Sequence, residues 1–416
     1  MNINDSLVNL VSRLGTDQDK AAHSHFVYTA MSREHIANMY RGSWLARKIV
    51  DIPAQDATRK WREWQATTEQ TTALEHEERR LGIRKKVEQA LKRASLYGGQ
   101  ALYIGLADDP SKPLSLDRVR KGGLQHVNVI DRDELTPVDI VDDVTSPRHG
   151  EPEYYETNNG ARIHHSRLAI FRGPESQSDD DHWGDSLLES VHDAVTQAAG
   201  GSGNVASLLY EAKVDVWKIP GFMEGLQSQQ YQDLVTKRVR LAAYAKGNIG
   251  ALMMDAEEEY EQKELSFAGL RDLMMAFYQI ASGAADIPMT RLLGQSPGGL
   301  QSTGEHDLKN YYDRISGEQE LVIRPSLETL DECLIRSALG SRPVEIDYIW
   351  ASLWQMSDLQ RAEIGERNAN TIRQLSETAL IPDEALSRAA VNMMTESDVM
   401  PGLESAVKEY EEGAAI

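Results

Sequence analysis

Residues Ile287-Pro288-Met289-Thr290-Arg291-Leu292-Leu293-Gly294-Gln295-Ser296-Pro297-Gly298-Gly299-Leu300-Gln301-Ser302-Thr303 carry one charged side chain, Arg291, in a chain whose charged share is 26%. Pro288 stops what precedes, and Pro297-Gly298-Gly299 disfavours regular structure within, so the stretch reads as a connector. Upstream, Phe267, Leu270, Met274, Phe277 and Ala281 recur at spacings of three and four, the stripe of an amphipathic helix. Downstream, Leu308, Tyr312, Ile315, Leu330 and Leu334 mark a long helical pattern over 304–339, where Pro325 removes an amide donor and predicts a kink. Before all of these, Met223 to Lys246 forms a helical pattern of 24 residues, about 36 Å long. Residues 248–265 read as short strands around the acidic run Asp255-Ala256-Glu257-Glu258-Glu259-Tyr260-Glu261. The order helix, acidic turn, helix, glycine-rich loop, kinked helix is the most informative pattern in the chain. On pattern alone it also fits an ordinary helical hairpin in a globular domain.

Working outward, the N-terminal half mixes helix and strand. Trp44 to Val50 follows a helical period, which Pro53 breaks or restarts, and Gly98-Gly99 ends a later helix. Ala101 to Leu106, His126 to Ile130 and Arg167 to Phe171 read as strands, with Asn159-Gly160 as a hairpin turn. Leu187 to Ala199 reads as a helix that Gly200-Gly201-Ser202-Gly203 interrupts before it resumes over 204–213. Val344 to Trp350 reads as a strand, and Ser357 with Gln360 opens another helix as a capping box. The expected class is α+β, mainly helical.

The chain has 416 residues, enough for two to four units at roughly 100–200 residues each. With 44 basic against 65 acidic residues the formal charge is −21, which argues against a general nucleic-acid coat, since counterion release needs clustered Lys and Arg. The single cysteine, Cys333, excludes a disulfide within the chain and any Cys-rich zinc module. No stretch approaches the ~18 apolar residues of a membrane span. Met1-Asn2-Ile3-Asn4-Asp5 lacks the order of a secretory signal, so the expectation is a cytosolic product with no membrane partner.

No phosphate-binding GxxxxGK[ST], HExxH or GxSxG motif is present. His164-His165-Ser166-Arg167 is the most enzyme-like cluster, but a serine nucleophile needs an orienting base and an oxyanion site. The ordinary alternative is a polar lead into the strand at 167–171. His23 and His25 would hold a metal only with a third ligand in a formed strand. The acidic run has no EF-hand spacing, and reads either as a solvated face or as a docking surface. The expectation is no catalytic residue, no metal and no cofactor.

Several segments, in order, resemble one family. They are Tyr40-Arg41-Gly42-Ser43-Trp44-Leu45-Ala46-Arg47-Lys48-Ile49-Val50-Asp51-Ile52-Pro53-Ala54 with Trp61, Ile163-His164-His165-Ser166-Arg167-Leu168, His182-Trp183-Gly184-Asp185-Ser186-Leu187-Leu188, and Ile287 to Gly294 followed by Gly304-Glu305. Together they resemble the portal (head-to-tail connector) proteins of tailed bacteriophages, in a prophage-encoded branch, over about residues 35–390. The resemblance implies the portal fold, closed into a ring of about twelve copies by a head-to-tail interface at one vertex of the virion. It implies a wing over 1–220, stem helices at 221–246 and 266–286, a small β clip at 247–265, and a tunnel loop at 287–303. A long kinked helix at 304–339 follows, with the rest of the wing and a small helical crown at 340–416.

The partners so implied are other copies of the chain, double-stranded DNA passing without sequence specificity, the large terminase subunit, capsid and scaffold proteins, and a head-tail adaptor. The protein would be made in the host bacterial cytoplasm. In the tunnel loop Arg291, Gln295, Ser296, Gln301 and Ser302 would face the DNA with weak, exchangeable bonds. In the clip Asp255, Glu257, Glu258, Glu259, Tyr260 and Glu261 would dock terminase and adaptor. Net-negative walls would repel phosphate and limit sticking. The rivals are a hydrolase or phosphodiesterase built on His164 or His165, and another virion structural subunit such as an adaptor.

Overall fold

The computed structural model describes residues 30–176, 182–210, 213–218, 227–248, 259–264, 269–294, 304–354, 358–378, 381–396 and isolated positions between 399 and 410. Helices α1 (Arg33–Gly42) and α2 (Trp44–Arg59) open it, each started by a serine: Ser32 Oγ accepts from the His35 amide and Ser43 Oγ from that of Ala46. Strand β1 (Arg62–Gln65) follows, then α3 (Thr68–Leu81), begun by a capping box between Thr67 and Gln70. Gly82, at φ 66°, both ends α3 and begins α4 (Ile83–Tyr97). On α4, Ile83, Val87, Ala90 and Ala94 are buried at spacings of four, three and four, the face that packs against α2 and the sheet. Full burial of a side chain such as Ile83 or Val87 contributes about 1.5–3 kcal/mol.

Strand β2 (Gly99–Gly105) lies between β3 (His126–Asp131) and β7 (Leu168–Arg172), antiparallel to both. It is buried along nearly its whole length, which is why it reads as a continuous apolar run. Beside it β4 (Leu135–Ile140), β5 (Pro152–Thr157) and β6 (Arg162–His164) form an antiparallel meander. The β5–β6 turn holds Gly160 at φ 80°, as its Asn-Gly pair predicts. A small second core of Leu135, Tyr155, Ile163, Leu168 and Trp183 joins meander to sheet.

Helix α5 (Leu187–Tyr210) leads to β8 (Lys213–Lys218), α6 (Gln229–Asn248), β9 (Glu259–Glu264) and α7 (Leu270–Ala284). Then come α8 (Met289–Leu293), α9 (Glu305–Glu318), a π-helical turn at Gln319–Ile323, and α10 (Arg324–Leu339). Strand β10 (Asp347–Trp350) pairs with β1, and α11 (Asp358–Thr378) and α12 (Asp383–Glu396) close the chain. No helix is long and apolar enough to cross a membrane among the described residues. The architecture is mainly helical with small antiparallel sheets, the expected class.

Four local expectations change. Gly200-Gly201-Ser202-Gly203 does not interrupt α5, which runs through it. A Cβ on Gly201 would lie 2.8 Å from the Phe277 ring, so the glycine admits the close crossing of α5 and α7. Pro53 sits inside α2 without ending it. The departure tied to Pro325 precedes the proline: lacking an amide hydrogen, it cannot bond the carbonyl of Leu321, and residues 319–323 widen into the π turn. Strand β10 covers only the last four residues of the expected 344–350. Of the expected helix at 223–246, residues 223–226 lie outside the described set, as does Ser357 of the expected cap.

Candidate functional site

The connector at 287–303 leaves the described residues after Gly294 and rejoins them at Gly304. Both glycines have positive φ, 70° and 67°, conformations in which a Cβ is strained. What holds the two ends is α2. Lys48 Nζ donates to the Leu292 carbonyl at 2.6 Å, fixing the C-terminal turn of α8. Arg291 forks onto Asp56, Nε to Oδ2 at 2.9 Å and Nη2 to Oδ1 at 3.0 Å. From the far side of the connector, Tyr311 on α9 donates its hydroxyl to Asp56 Oδ2 at 3.0 Å. Gln319, in the π turn, donates to the Ala57 carbonyl at 2.7 Å.

Asp56 is therefore the shared anchor. It is 1% exposed, and a carboxylate so placed is tolerable only with charged and hydrogen-bonding partners, which Arg291, Tyr311 and Arg59 (3.4 Å) supply. The bond to Asp56 holds the Arg291 guanidinium firmly protonated, and burial with the Asp56 charge pushes the Tyr311 hydroxyl far above its ordinary range. At this joint the connector's two roots meet one buried point on α2.

Arg291 is thus a correction to its expected place. It lies in α8, and its guanidinium is committed to Asp56 instead of standing free in a loop. Sequence gave no sign of this, because Asp56 is 235 positions away. Gln295, Ser296, Gln301 and Ser302 lie outside the described residues.

Of the acidic run, Asp255, Glu257 and Glu258 also lie outside the described residues. Glu259, Tyr260 and Glu261 begin β9, whose partner is β8. The register sets Glu259 opposite Lys218, Tyr260 opposite Trp217, Glu261 opposite Val216 and Glu264 opposite Lys213. The strand at 213–218 was not expected: Val214, Val216 and Trp217 are its only apolar residues, too short a signal to separate from the helix before it.

The His164-His165-Ser166 cluster forms a tight turn. Ser166 Oγ accepts from the Leu114 amide at 2.9 Å and meets His164 Nδ1 at 2.8 Å, while the Ser166 amide also points at that nitrogen from 3.2 Å. Burial lowers the pKa of both imidazoles, His165 to about 4, so both are neutral at pH 7. Arg167 is wholly buried and forks onto Asp108 at 2.7 and 2.8 Å. The cluster ties the 110–114 segment to β6 and β7, the work of a capped turn. Among the described residues no group of three or more His, Cys, Asp or Glu is placed to hold a metal ion. Cys333 is buried, and burial raises its thiol pKa to about 12.

Comparison with known proteins adds a wider frame. Residues 34–374 match the family model described as phage portal protein. The chain is 40% identical over 430 residues to the anti-CBASS protein Acb1 of Caulobacter sp. (strain RHG1), an alignment covering 98% of this chain and 69% of that protein. It is 33% identical over 351 residues to an uncharacterized protein of Haemophilus influenzae (strain ATCC 51907 / DSM 11121 / KW20 / Rd), covering 82% and 79% of the two chains. Among solved structures, a chain in the neck of a native GTA particle computed with C12 symmetry aligns at TM-score 0.53 and 13% identity, over 94% of this chain and 99% of that one. A chain in the neck of an empty GTA particle computed with C6 symmetry aligns at TM-score 0.52 and 14% identity, over 87% and 95%.

Proposed function

The chain belongs to the phage portal protein family, and we propose that copies of it close into a ring through which double-stranded DNA enters and leaves a virion. The observation that carries this reading is the family match over residues 34–374, which takes in the connector and every element that anchors it. The C12 symmetry with which one similar neck was computed favours about twelve copies. In this reading α6 and α7 are stem helices, β9 with its partner β8 belongs to the clip, and α9 to α10 is the kinked helix bracing wing to stem. Residues before β8 form the wing, and those after 340 its remainder and a small crown.

The roles follow. Residues 295–303 reach the channel, where Gln295, Ser296, Gln301 and Ser302 touch DNA with exchangeable bonds, while Arg291 and Asp56 hold the root of the loop still. Asp255 and Glu257 to Glu261 dock the terminase large subunit during packaging and the head-tail adaptor afterwards; capsid and scaffold proteins meet the wing. No catalytic residue or cofactor is assigned, because movement of DNA would be driven by terminase. Electron microscopy of the purified chain, with its mass in solution, tests this. Rings of about twelve copies with an open axial channel are the expected result; particles of one or two copies at every salt and concentration tried would overturn it.

One observation favours a second reading, an anti-defence activity. Two relatives, 40% and 37% identical, bear the name anti-CBASS protein Acb1, and the chain spans 69% and 68% of their lengths. The commitment of Ser166 to the Leu114 amide weighs against a nucleophile in the His164 cluster. Phosphodiester hydrolysis by the purified chain, abolished in His164→Ala, would put this reading first.

A further inference from the structure

Helices α1 and α4 enclose a cavity of about 410 Å³ that the portal reading does not use. Arg33, Tyr40 and Arg41 line it from one face of α1, seven and eight residues apart, and Gln89, Lys92 and Arg93 from one face of α4. In a chain of formal charge −21, this lining holds four cations and one carboxylate, Asp131. Arg93 takes Asp131 Oδ1 at 2.5 Å and Arg33 takes Oδ2 at 3.3 Å, so two guanidiniums share one carboxylate. Arg33 also pairs with Asp133, and Lys92 with Glu88 at 2.7 Å. Even with those neighbours counted, four cations face three carboxylates. Arg41 is exposed and takes part in no salt bridge among the described residues.

We propose that this cavity binds phosphate groups. A guanidinium carries five N–H donors in a planar fork, and most of those on Arg33, Arg41 and Arg93 are unspent, so an oxyanion entering between the helices meets several at once. Lys92 adds an ammonium from the same side. Tyr40 does not compete, since its hydroxyl donates to Asp51 at 2.8 Å. Tyr97 stiffens the wall: the Arg33 guanidinium lies 4.0 Å from its ring centroid, which fixes the direction of that fork. The phosphate has two possible sources, the backbone of duplex DNA or a free polyphosphate, and the lining suits either. None of the lining residues belongs to the connector.

The test uses the full chain, inorganic pyrophosphate and a short fluorescein-labelled DNA duplex. Pyrophosphate is expected to raise the melting temperature, and the double variant Arg41→Glu, Lys92→Glu to abolish that rise. If the DNA backbone is the ligand, the same variant weakens duplex binding at least about tenfold and lowers its salt slope by about two. Loss of the pyrophosphate effect with unchanged duplex binding assigns the site to free anions. No pyrophosphate effect on the wild type, or an effect the double variant keeps, overturns the proposal. Circular dichroism reports whether the variant folds; Arg41→Gln, at an exposed side chain with no salt bridge to lose, repeats the measurement if it does not. Particle mass measured on the same samples keeps a failure of this site distinct from a failure of the ring.

Discussion

Arg291 and Asp56, 235 positions apart, meet through two parallel hydrogen bonds of 2.9 and 3.0 Å, with the carboxylate buried and the guanidinium one-third exposed. Removing only the cation leaves a buried carboxylate short of a partner, which costs more than the pair contributes. Tyr311 and Arg59 remain, so Arg291→Ala should destabilise the chain by about 1–3 kcal/mol. Arg291→Ala with Asp56→Ala should cost less than the sum of the two single changes, and denaturant melts of the four proteins give the coupling. Additive losses would show that the fork contributes nothing.

How much of this was legible beforehand depends on the distance over which each feature is encoded. Helices α7, α9 and α10, the strands β2, β3 and β7, and the β5–β6 turn announce themselves within a dozen residues by period or turn chemistry. The continuity of α5 does not: Gly201 looks like a break until Phe277, on another helix, is known to need its missing Cβ. Strand β8 depends likewise on β9, more than forty positions later. The anchor at Asp56 was invisible because no local pattern marks which carboxylate a distant arginine will choose. The basic cavity was closer to hand, since Arg33, Tyr40 and Arg41, and Gln89, Lys92 and Arg93, each keep helical spacing. Only their facing each other needed the fold.

Gly98 caps α4 at φ 84°, and a Cβ there would lie 1.9 Å from the Gly184 carbonyl oxygen, a backbone atom that cannot turn aside. Gly98 O also accepts from the amides of Gly173 at 2.9 Å and Gly184 at 2.7 Å. Gly98→Ala combines a strained φ with this clash and should cost about 3 kcal/mol or more, or stop soluble expression. Gly294→Ala, where φ is 70° but the space is open, should cost only about 1 kcal/mol. Equal melting temperatures for the two variants would refute the steric argument.

His165 gives the fold a pH dependence of known sign. Burial lowers its pKa to about 4 from the ordinary 6.5, with Arg148 and His164 pushing the same way, and His164 is also lowered. Between about pH 6.5 and pH 4 the unfolded chain binds protons there that the folded chain refuses, so stability falls as pH drops through that window. Thermal melts from pH 7.5 to 4.5 should show the decline, and His165→Asn should flatten it. A variant that follows the wild-type curve would place the sensitivity elsewhere.

The clip reading makes its own prediction. Replacing Glu257, Glu258 and Glu259 with Ala removes three charges from the proposed docking face and no backbone group from the β8–β9 ladder. DNA packaging should fall sharply, and ring assembly, judged by particle mass, should not change. Normal packaging by this variant would remove the docking role from the acidic run.

Closure of the proposed ring should be sensitive to α6 and α7, because they expose apolar surface that a single copy leaves in water. Leu234 and Leu241 on α6 are 65% and 68% exposed, and Leu273 and Ile280 on α7 are 51% and 53% exposed. One exposed leucine needs no explanation, but with Val239, 47% exposed, the described residues of the two helices show five such side chains, which fits surfaces that a neighbouring copy covers. Leu273 and Ile280 are seven residues apart, two helical turns, and so lie on one face of α7. A head-to-tail ring needs two complementary faces on each copy, and α6 supplies the apolar residues to meet that one. Leu273→Asp with Ile280→Asp should therefore leave the fold intact, since neither side chain belongs to the buried core, yet shift the protein from rings to single copies. Light scattering coupled to size exclusion reads the result directly. Rings that persist with both aspartates in place would show that α7 does not face its neighbour, and would move the interface to the wing.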